Sequence, residues 1–279
     1  MPELPEVETV RRTLEPKLLG KKIIDVEVNL PKLIKIPAGD AQAFRSILMG
    51  QKFLETRRRG KYLLFVLDND YVLVVHLRMT GRLLYVNKEE PVVKHTHLFF
   101  FLDDGNELRF HDTRQFGLIY LVPKGSLHLI NGLKTLGPEP LSDDFTFACF
   151  EESLKGKKQR VKAFLLDQRC VAGIGNIYAD EILFQAGIHP DETVDNLTQN
   201  DKNSLWIAIK DRLQKGVEHR GTSIKDYVDG FGNTGTFQHE LRVYGKAGQP
   251  CFKCGALIER IKVAGRTTAY CPQCQKRRK

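Results

Sequence analysis

Met1-Pro2-Glu3-Leu4-Pro5-Glu6-Val7-Glu8 opens the chain, and the chemistry these residues allow appears once Met1 is removed. A small second residue permits excision of the initiator, which leaves Pro2 as a free secondary amine. An α-amino group titrates near ~7.7 to 8.0, so on the order of a tenth of it is neutral and nucleophilic at pH 7. Its adduct with the aldehyde carbon of a sugar is an iminium that has no N–H to lose. The retained positive charge acidifies the neighbouring carbon and favours elimination, and Glu3 and Glu6 lie close by to move protons. The same string is also an ordinary helix start, with proline in the first turn and carboxylates favoured by the helix dipole. Either way a helix follows: Val7, Val10, Leu14 and Leu18 recur at helical spacing up to Gly20, and Pro16 kinks or shortens the last turn.

Outward from that helix the pattern changes to alternation. Strands are predicted at residues 23–28, 62–67, 71–78, 97–102, 107–110 and 118–122, separated by turn signals such as Asp68-Asn69-Asp70 and Asp103-Asp104-Gly105-Asn106. Residues 1–135 therefore read as a mainly β domain, a sandwich or barrel with one or two helices. Residues 136–148 read as a linker, since the two prolines of Gly137-Pro138-Glu139-Pro140 exclude a helix. Beyond it the period turns helical: Val161, Phe164 and Leu165, then Ile177, Ile182 and Leu183, fit two helices broken by Gly173-Ile174-Gly175-Asn176. A further amphipathic helix spans 205–217. A loop rich in Gly and Thr occupies 221–237 of this helical domain, which is expected over 149–240, and a cysteine-bearing tail fills 241–279.

A chain of 279 residues with 42% apolar and 28% charged content is globular and long enough for two ordinary domains. Its longest apolar runs, 71–75 and 98–102, fall far below a membrane span. Glu3, Glu6 and Glu8 stand where a signal peptide would carry Lys or Arg, so a cytoplasmic location is expected. Net charge is +9, and the tail from residue 241 accounts for all of it, with ten basic residues against Glu259 alone. Such a tail suits a polyanionic partner, although a solvated basic surface would read the same way. Smaller basic clusters at Arg57-Arg58-Arg59-Gly60-Lys61 and in residues 155–160 suggest a long track.

Cys251-x2-Cys254, a gap of sixteen residues, then Cys271-x2-Cys274 matches a four-thiolate zinc site. Disulfides are the alternative, which a reducing compartment disfavours. Four protein ligands leave no open position for water, so one structural zinc ion is expected. The segment between the knuckles, 263–270, reads as a hairpin tip that carries Arg266, a cation able to reach a phosphate or a minor groove. Cys149 and Cys170 have no such spacing and read as buried hydrophobes.

The opening string resembles the amino terminus of the formamidopyrimidine-DNA glycosylases, and four further stretches are similar to that family in the same order. They are Arg59-Gly60-Lys61-Tyr62, His76-Leu77-Arg78-Met79-Thr80-Gly81, His111-Asp112-Thr113-Arg114-Gln115-Phe116-Gly117, and the helical break through Asp180-Glu181. The resemblance implies an α+β multidomain fold: an N-terminal β-sandwich with flanking helices, then a helix-two-turn-helix domain and a zinc ribbon. It implies a monomer that acts on duplex DNA containing oxidised purines or abasic sites. It also implies catalytic roles for Pro2, Glu3, Glu6 and Lys61, and DNA contacts from His76, Met79, Arg114, Phe116, Lys162, Gly173, Gly175, Asn176 and Arg266. Extrusion of a nucleotide leaves a hole that a thioether and an aromatic ring can fill while a guanidinium satisfies the orphaned base. The 221–237 loop is similar to the family's lesion-capping loop, with Ser223, Lys225, Tyr227 and Thr236 facing the extruded base. Some relatives carry glutamate where Thr80 stands, which puts a lesion contact from that side chain in doubt. An endonuclease VIII-like enzyme for oxidised pyrimidines is the nearer rival reading, and a non-catalytic zinc-ribbon DNA-binding protein the more distant one.

Overall fold

Leu4–Leu18 forms α1, entered through a capping box in which Glu3 is the N-cap and Glu6 its reciprocal partner. The computed structural model describes residues 1–277; Arg278 and Lys279, counted in the basic tail, lie outside the described residues. After α1 come β1 (Ile23–Val28), β2 (Ile34–Ile36), α2 (Ala41–Leu48), β3 (Phe53–Arg59), β4 (Tyr62–Leu67), β5 (Tyr71–His76), β6 (Arg82–Asn87), β7 (Thr96–Leu102), β8 (Asn106–His111), β9 (Leu118–Pro123) and the short α3 (Asn131–Lys134). The strands form a four-stranded sheet ordered β1-β7-β8-β6 and a five-stranded sheet ordered β2-β9-β5-β4-β3. All neighbours are antiparallel except β2 with β9.

Both sheets close on one core. Phe65 and Leu73 come from the larger sheet, Phe100 and Phe110 from the smaller, and Leu14 and Phe44 from the helices, all without exposed surface. Burial of each such side chain contributes roughly 1.5–3 kcal/mol relative to exposure. The sandwich is thus the solution the apolar runs required. Three strands without a sequence signal, β2, β3 and β6, are all sheet edges. An edge strand buries few side chains, and in β3 only Phe53 and Thr56 point inward, so the charges of Glu55 and Arg57–Arg59 mask its period. The unforeseen α2 is short, capped by Asp40, and buries only Phe44 and Leu48.

Beyond residue 134 lie α4 (Phe147–Leu154), α5 (Val161–Leu166), α6 (Asn176–Ala186), α7 (Gln199–Glu218) and a hairpin of β10 (Glu259–Val263) and β11 (Arg266–Tyr270). The chain divides into two units, Met1–Lys134 with His219–Thr236, and Thr135–Glu218 with Phe237 onward. These compact units group two segments differently from the expected domain bounds. The 221–237 loop groups with the sandwich rather than the helices, because Tyr227 enters the sandwich core. The hairpin and the helices form one unit rather than two, because buried acids of α6 bind the ribbon's backbone, as described below. No helix among the described residues is long and apolar enough to cross a membrane.

Candidate active site

The first turn of α1 is buried on every side, so its acids require internal partners. Glu6 Oε2 accepts the Glu3 N–H at 2.7 Å, and Oε1 accepts the Thr222 N–H at 2.7 Å. One carboxylate therefore holds both the chain's amino terminus and the loop that begins at residue 219. Gly221, with φ of +80°, lies so close that a Cβ there would come within 2.9 Å of Glu6 Cγ. Glu3 is itself buried. Pro2 is buried too, and its nitrogen bears Met1, which remains 47% exposed. In that state the nitrogen is an amide with no nucleophilic lone pair.

Behind the terminus, Glu8 ties α1 to β3. Although burial alone would raise its carboxyl, hydrogen bonds from Arg11 and Arg12 and the charges of Arg11 and Arg58 hold it below the usual range. Arg58 also donates to the Gly60 carbonyl at 3.0 Å, at the turn that presents Lys61. Within the arginine cluster, Arg58 is tied inward to Glu8, while the Arg57–Glu55 pair stays exposed. Lys61 is buried rather than exposed at the strand start. Its neighbour Tyr62 faces His76 across the β4–β5 pair, with ring centroids 4.5 Å apart. Burial, then the charges of Arg78 and Lys61, pushes the His76 imidazole down to about 3. His76 Nδ1 accepts the Arg78 N–H at 3.0 Å, so the proton of the neutral ring sits on Nε2.

Met79, Arg114 and Phe116 are exposed, and the Arg114 guanidinium lies 4.8 Å from the Phe116 ring centroid. Their loops meet at Asp112, a fully buried carboxylate that sequence reasoning did not single out. Its position two residues before Arg114, able to accept a backbone N–H in an Asx-turn, was the available signal. Around the 221–237 loop the expected contacts divide. Lys225 is exposed, but Tyr227 is buried, and its hydroxyl donates to the carbonyls of Glu6 at 3.3 Å and Arg220 at 3.1 Å. Burial pushes that phenol upward. Tyr227 is a core anchor, and its expected role facing a base is corrected accordingly. Ser223 Oγ donates to the Tyr227 carbonyl and accepts the Gly235 N–H, both at 2.9 Å, and Thr236 Oγ1 donates to the His219 carbonyl.

In the second unit, Gln168 braces the glycine turn by donating to the Ile174 carbonyl at 2.8 Å and accepting the Gly173 N–H at 2.9 Å. Gly173 has φ of +86°, which favours glycine. Gly175 is the N-cap of α6, and the Asn176 side chain donates to the Thr267 carbonyl at 3.2 Å. Its Oδ1 has no protein partner among the described residues. Lys162 departs furthest from its expected role. It has no exposed surface, and its ammonium donates to Asp180 at 2.6 Å, Thr268 Oγ1 at 2.7 Å and the Thr267 carbonyl at 3.3 Å. A cation sealed in this way cannot reach a phosphate; it joins α5, α6 and β11. Burial, opposed by Lys162, pushes the Asp180 carboxyl up to about 6. Asp180 also accepts the Ala269 N–H, and Glu181 accepts those of Arg242, Val243 and Tyr244.

The four cysteines converge. Their sulfurs all lie within 4.8 Å of one another, with Cys251–Cys274 at 3.9 Å and Cys254–Cys271 at 3.5 Å. A tetrahedral ion with bonds near ~2.3 Å needs sulfurs about 3.8 Å apart, so the donor set fits zinc. Bound there, zinc would supply a structural crosslink. Ala264 and Gly265, with φ of 50° and 72°, make the two-residue turn that exposes Arg266.

Residues 1–119 match the sequence model of the formamidopyrimidine-DNA glycosylase N-terminal domain, and 136–228 that of the same family's H2TH domain. Residues 248–277 match the zinc finger found in FPG and IleRS. The chain is 49% identical to formamidopyrimidine-DNA glycosylase of Pelotomaculum thermopropionicum, over 99% of each sequence. It is 50% identical to that of Heliobacterium modesticaldum, over 99% of this chain and all of the other. Among solved structures, Lactococcus lactis Fpg in complex with abasic-site DNA superposes with a TM-score of 0.92 at 40% identity, covering 99% of this chain and 100% of that one. The chain belongs to the formamidopyrimidine-DNA glycosylase family, base-excision-repair enzymes with glycosylase and abasic-site lyase activity.

Proposed function

We propose that this chain, after loss of Met1, excises oxidised purines, 8-oxoguanine opposite cytosine and formamidopyrimidines, from duplex DNA and then cleaves the strand at the resulting site. The observation that carries this reading is the Glu6 carboxylate, which fixes the amide next to Pro2 and leaves the proline nitrogen at the end of a rigid helix. Pro2 attacks C1′ of an extruded nucleotide, Glu3 protonates the sugar ring oxygen so that the C1′–O bond opens, and the C1′–base bond breaks as the base leaves with the proton given up by the proline nitrogen. The iminium that results retains its positive charge, so loss of a C2′ proton expels the 3′ phosphate, and a second elimination expels the 5′ phosphate.

In this reading Glu6 orients the terminus. Lys61, and the Nε2–H of the neutral His76, bind backbone phosphates beside the lesion. Gly173 and Gly175 allow close approach of a phosphate, which Asn176 and Arg266 hold. Met79 and Phe116 fill the vacated space, and Arg114 reads the opposite cytosine. Ser223, Lys225 and Thr236 belong to the loop over the extruded base. The Lactococcus relative is solved with DNA containing Fapy-dG, which supports the substrate class. The enzyme works as a cytoplasmic monomer with one structural zinc.

Borohydride trapping tests the reading. Protein whose intact mass proves loss of Met1 is expected to form a covalent adduct with lesion duplex. Pro2→Gly, which replaces the ring with a primary amine, should trap far less. No adduct from correctly processed protein would favour the non-catalytic binder.

A further inference from the structure

Thr80 stands next to Met79, yet its hydroxyl is engaged within the protein. Oγ1 donates to Asp112 Oδ1 and accepts the Arg114 N–H at 3.1 Å. The same Asp112 oxygen accepts that N–H at 3.2 Å, and Oδ2 accepts the Gly117 N–H at 2.8 Å. The Asp112 backbone is held as well: its carbonyl accepts from His97 Nε2 at 3.0 Å, and its N–H donates to the His95 carbonyl at 3.0 Å. Two segments more than thirty residues apart, one bearing Met79 and the other Arg114 and Phe116, therefore meet at one buried carboxylate.

The loop between them has little freedom. Gln115 takes φ of 57°, and a Cβ on Gly117 would come within 2.5 Å of the Phe110 ring. What remains adjustable is how this loop is registered against the Met79 turn. Among the described residues, the side chain of that turn that bonds to the loop is Thr80.

We propose that Thr80 is a positioning residue for opposite-strand selectivity. Its hydroxyl registers the Met79 turn against the Arg114–Phe116 loop, so that the space-filling side chains and the guanidinium enter the duplex as one preset group. This rests on the assignment of Arg114 to the opposite base made above. Thr80 then contributes by placing groups that touch DNA and touches none of the reacting atoms itself.

The test compares single-turnover excision of 8-oxoguanine opposite cytosine with excision opposite adenine, for the wild type, Thr80→Val, Thr80→Ser and Arg114→Ala. Because the two rates come from one preparation, a loss of folded protein scales both and leaves their ratio unchanged. Thr80→Val keeps the shape and removes the hydroxyl. It should lower the cytosine-to-adenine ratio by about three- to tenfold, the worth of one net hydrogen bond. Thr80→Ser should restore the ratio. A wild-type ratio in Thr80→Val beside a lowered one in Arg114→Ala overturns the proposal alone, as does a serine variant that behaves like the valine one. A wild-type ratio in Arg114→Ala removes the reading of Arg114, and this proposal falls with it.

Discussion

Lys162 and Arg266 are both cations that the sequence assigns to DNA, and burial separates their roles. Replacement of Lys162 by Met leaves Asp180 buried without its counter-charge, which should destabilise the fold by roughly 3–5 kcal/mol. Urea denaturation measures that. Arg266→Ala should change stability by less than about 0.5 kcal/mol. It should instead weaken DNA binding and reduce the salt slope by about 0.9. A Lys162→Met protein that is fully stable but binds DNA poorly would contradict the burial described. His76 makes a prediction about pH. Its folded imidazole stays neutral down to about 3, whereas an unfolded one takes up a proton near the ordinary value of 6.5. Between those values the unfolded chain binds more protons, so stability is complete above the higher pH and falls as pH drops towards the lower. His76→Asn should flatten that part of the stability profile; an unchanged slope would place the acid sensitivity elsewhere.

At the scale of elements, α1 and the strands at the centre of each sheet were legible because their apolar runs or periods are strong. The β4 and β5 strands are almost wholly buried and read as continuous apolar stretches. Of the edge strands only β1 was legible, through its run of Ile and Val; β2, β3 and β6 were not, since an edge strand bonds on one side only and these bury few side chains. The four cysteines were legible because metal geometry dictates their spacing. Glu181 was not, because its partners are three backbone amides more than sixty residues away and an amide leaves no mark on the sequence. These acids make a prediction for the ribbon. Cys254→Ser, or removal of zinc by a chelator, should speed amide exchange at residues 242–244 and at Ala269 and abolish DNA binding. Exchange at those amides that does not change would show that the ribbon holds itself together without the ion.

At the scale of the whole molecule, the assignment of the 221–237 loop was the main thing the sequence concealed. By order it follows α7, but its anchors are Glu6 and Tyr85: the Tyr85 N–H donates to the Gly230 carbonyl at 2.8 Å, and the Gly230 N–H donates to Thr13 at 3.1 Å. A contact that spans more than two hundred residues cannot be inferred from local pattern. Glu6→Gln tests this anchoring. A glutamine has one carbonyl oxygen for two N–H donors, so either the Glu3 or the Thr222 amide loses its acceptor. Amide exchange across 219–236 should accelerate while the sheet strands stay protected; unchanged protection in that loop would mean that Glu6 is not its anchor.

The chain leaves the sandwich after residue 134 and returns to it only at residue 219. A ribosome making this protein has therefore passed the whole of α7 before the last piece of the first unit emerges. Until then the half-made sandwich carries a Glu6 that lacks its Thr222 partner and a vacancy in its core where Tyr227 will sit. Domains normally fold in the order they are synthesised. Here the setting of the first turn of α1 depends on a late segment, so a nascent chain cut short anywhere before that return would lack the Thr222 amide that Glu6 accepts.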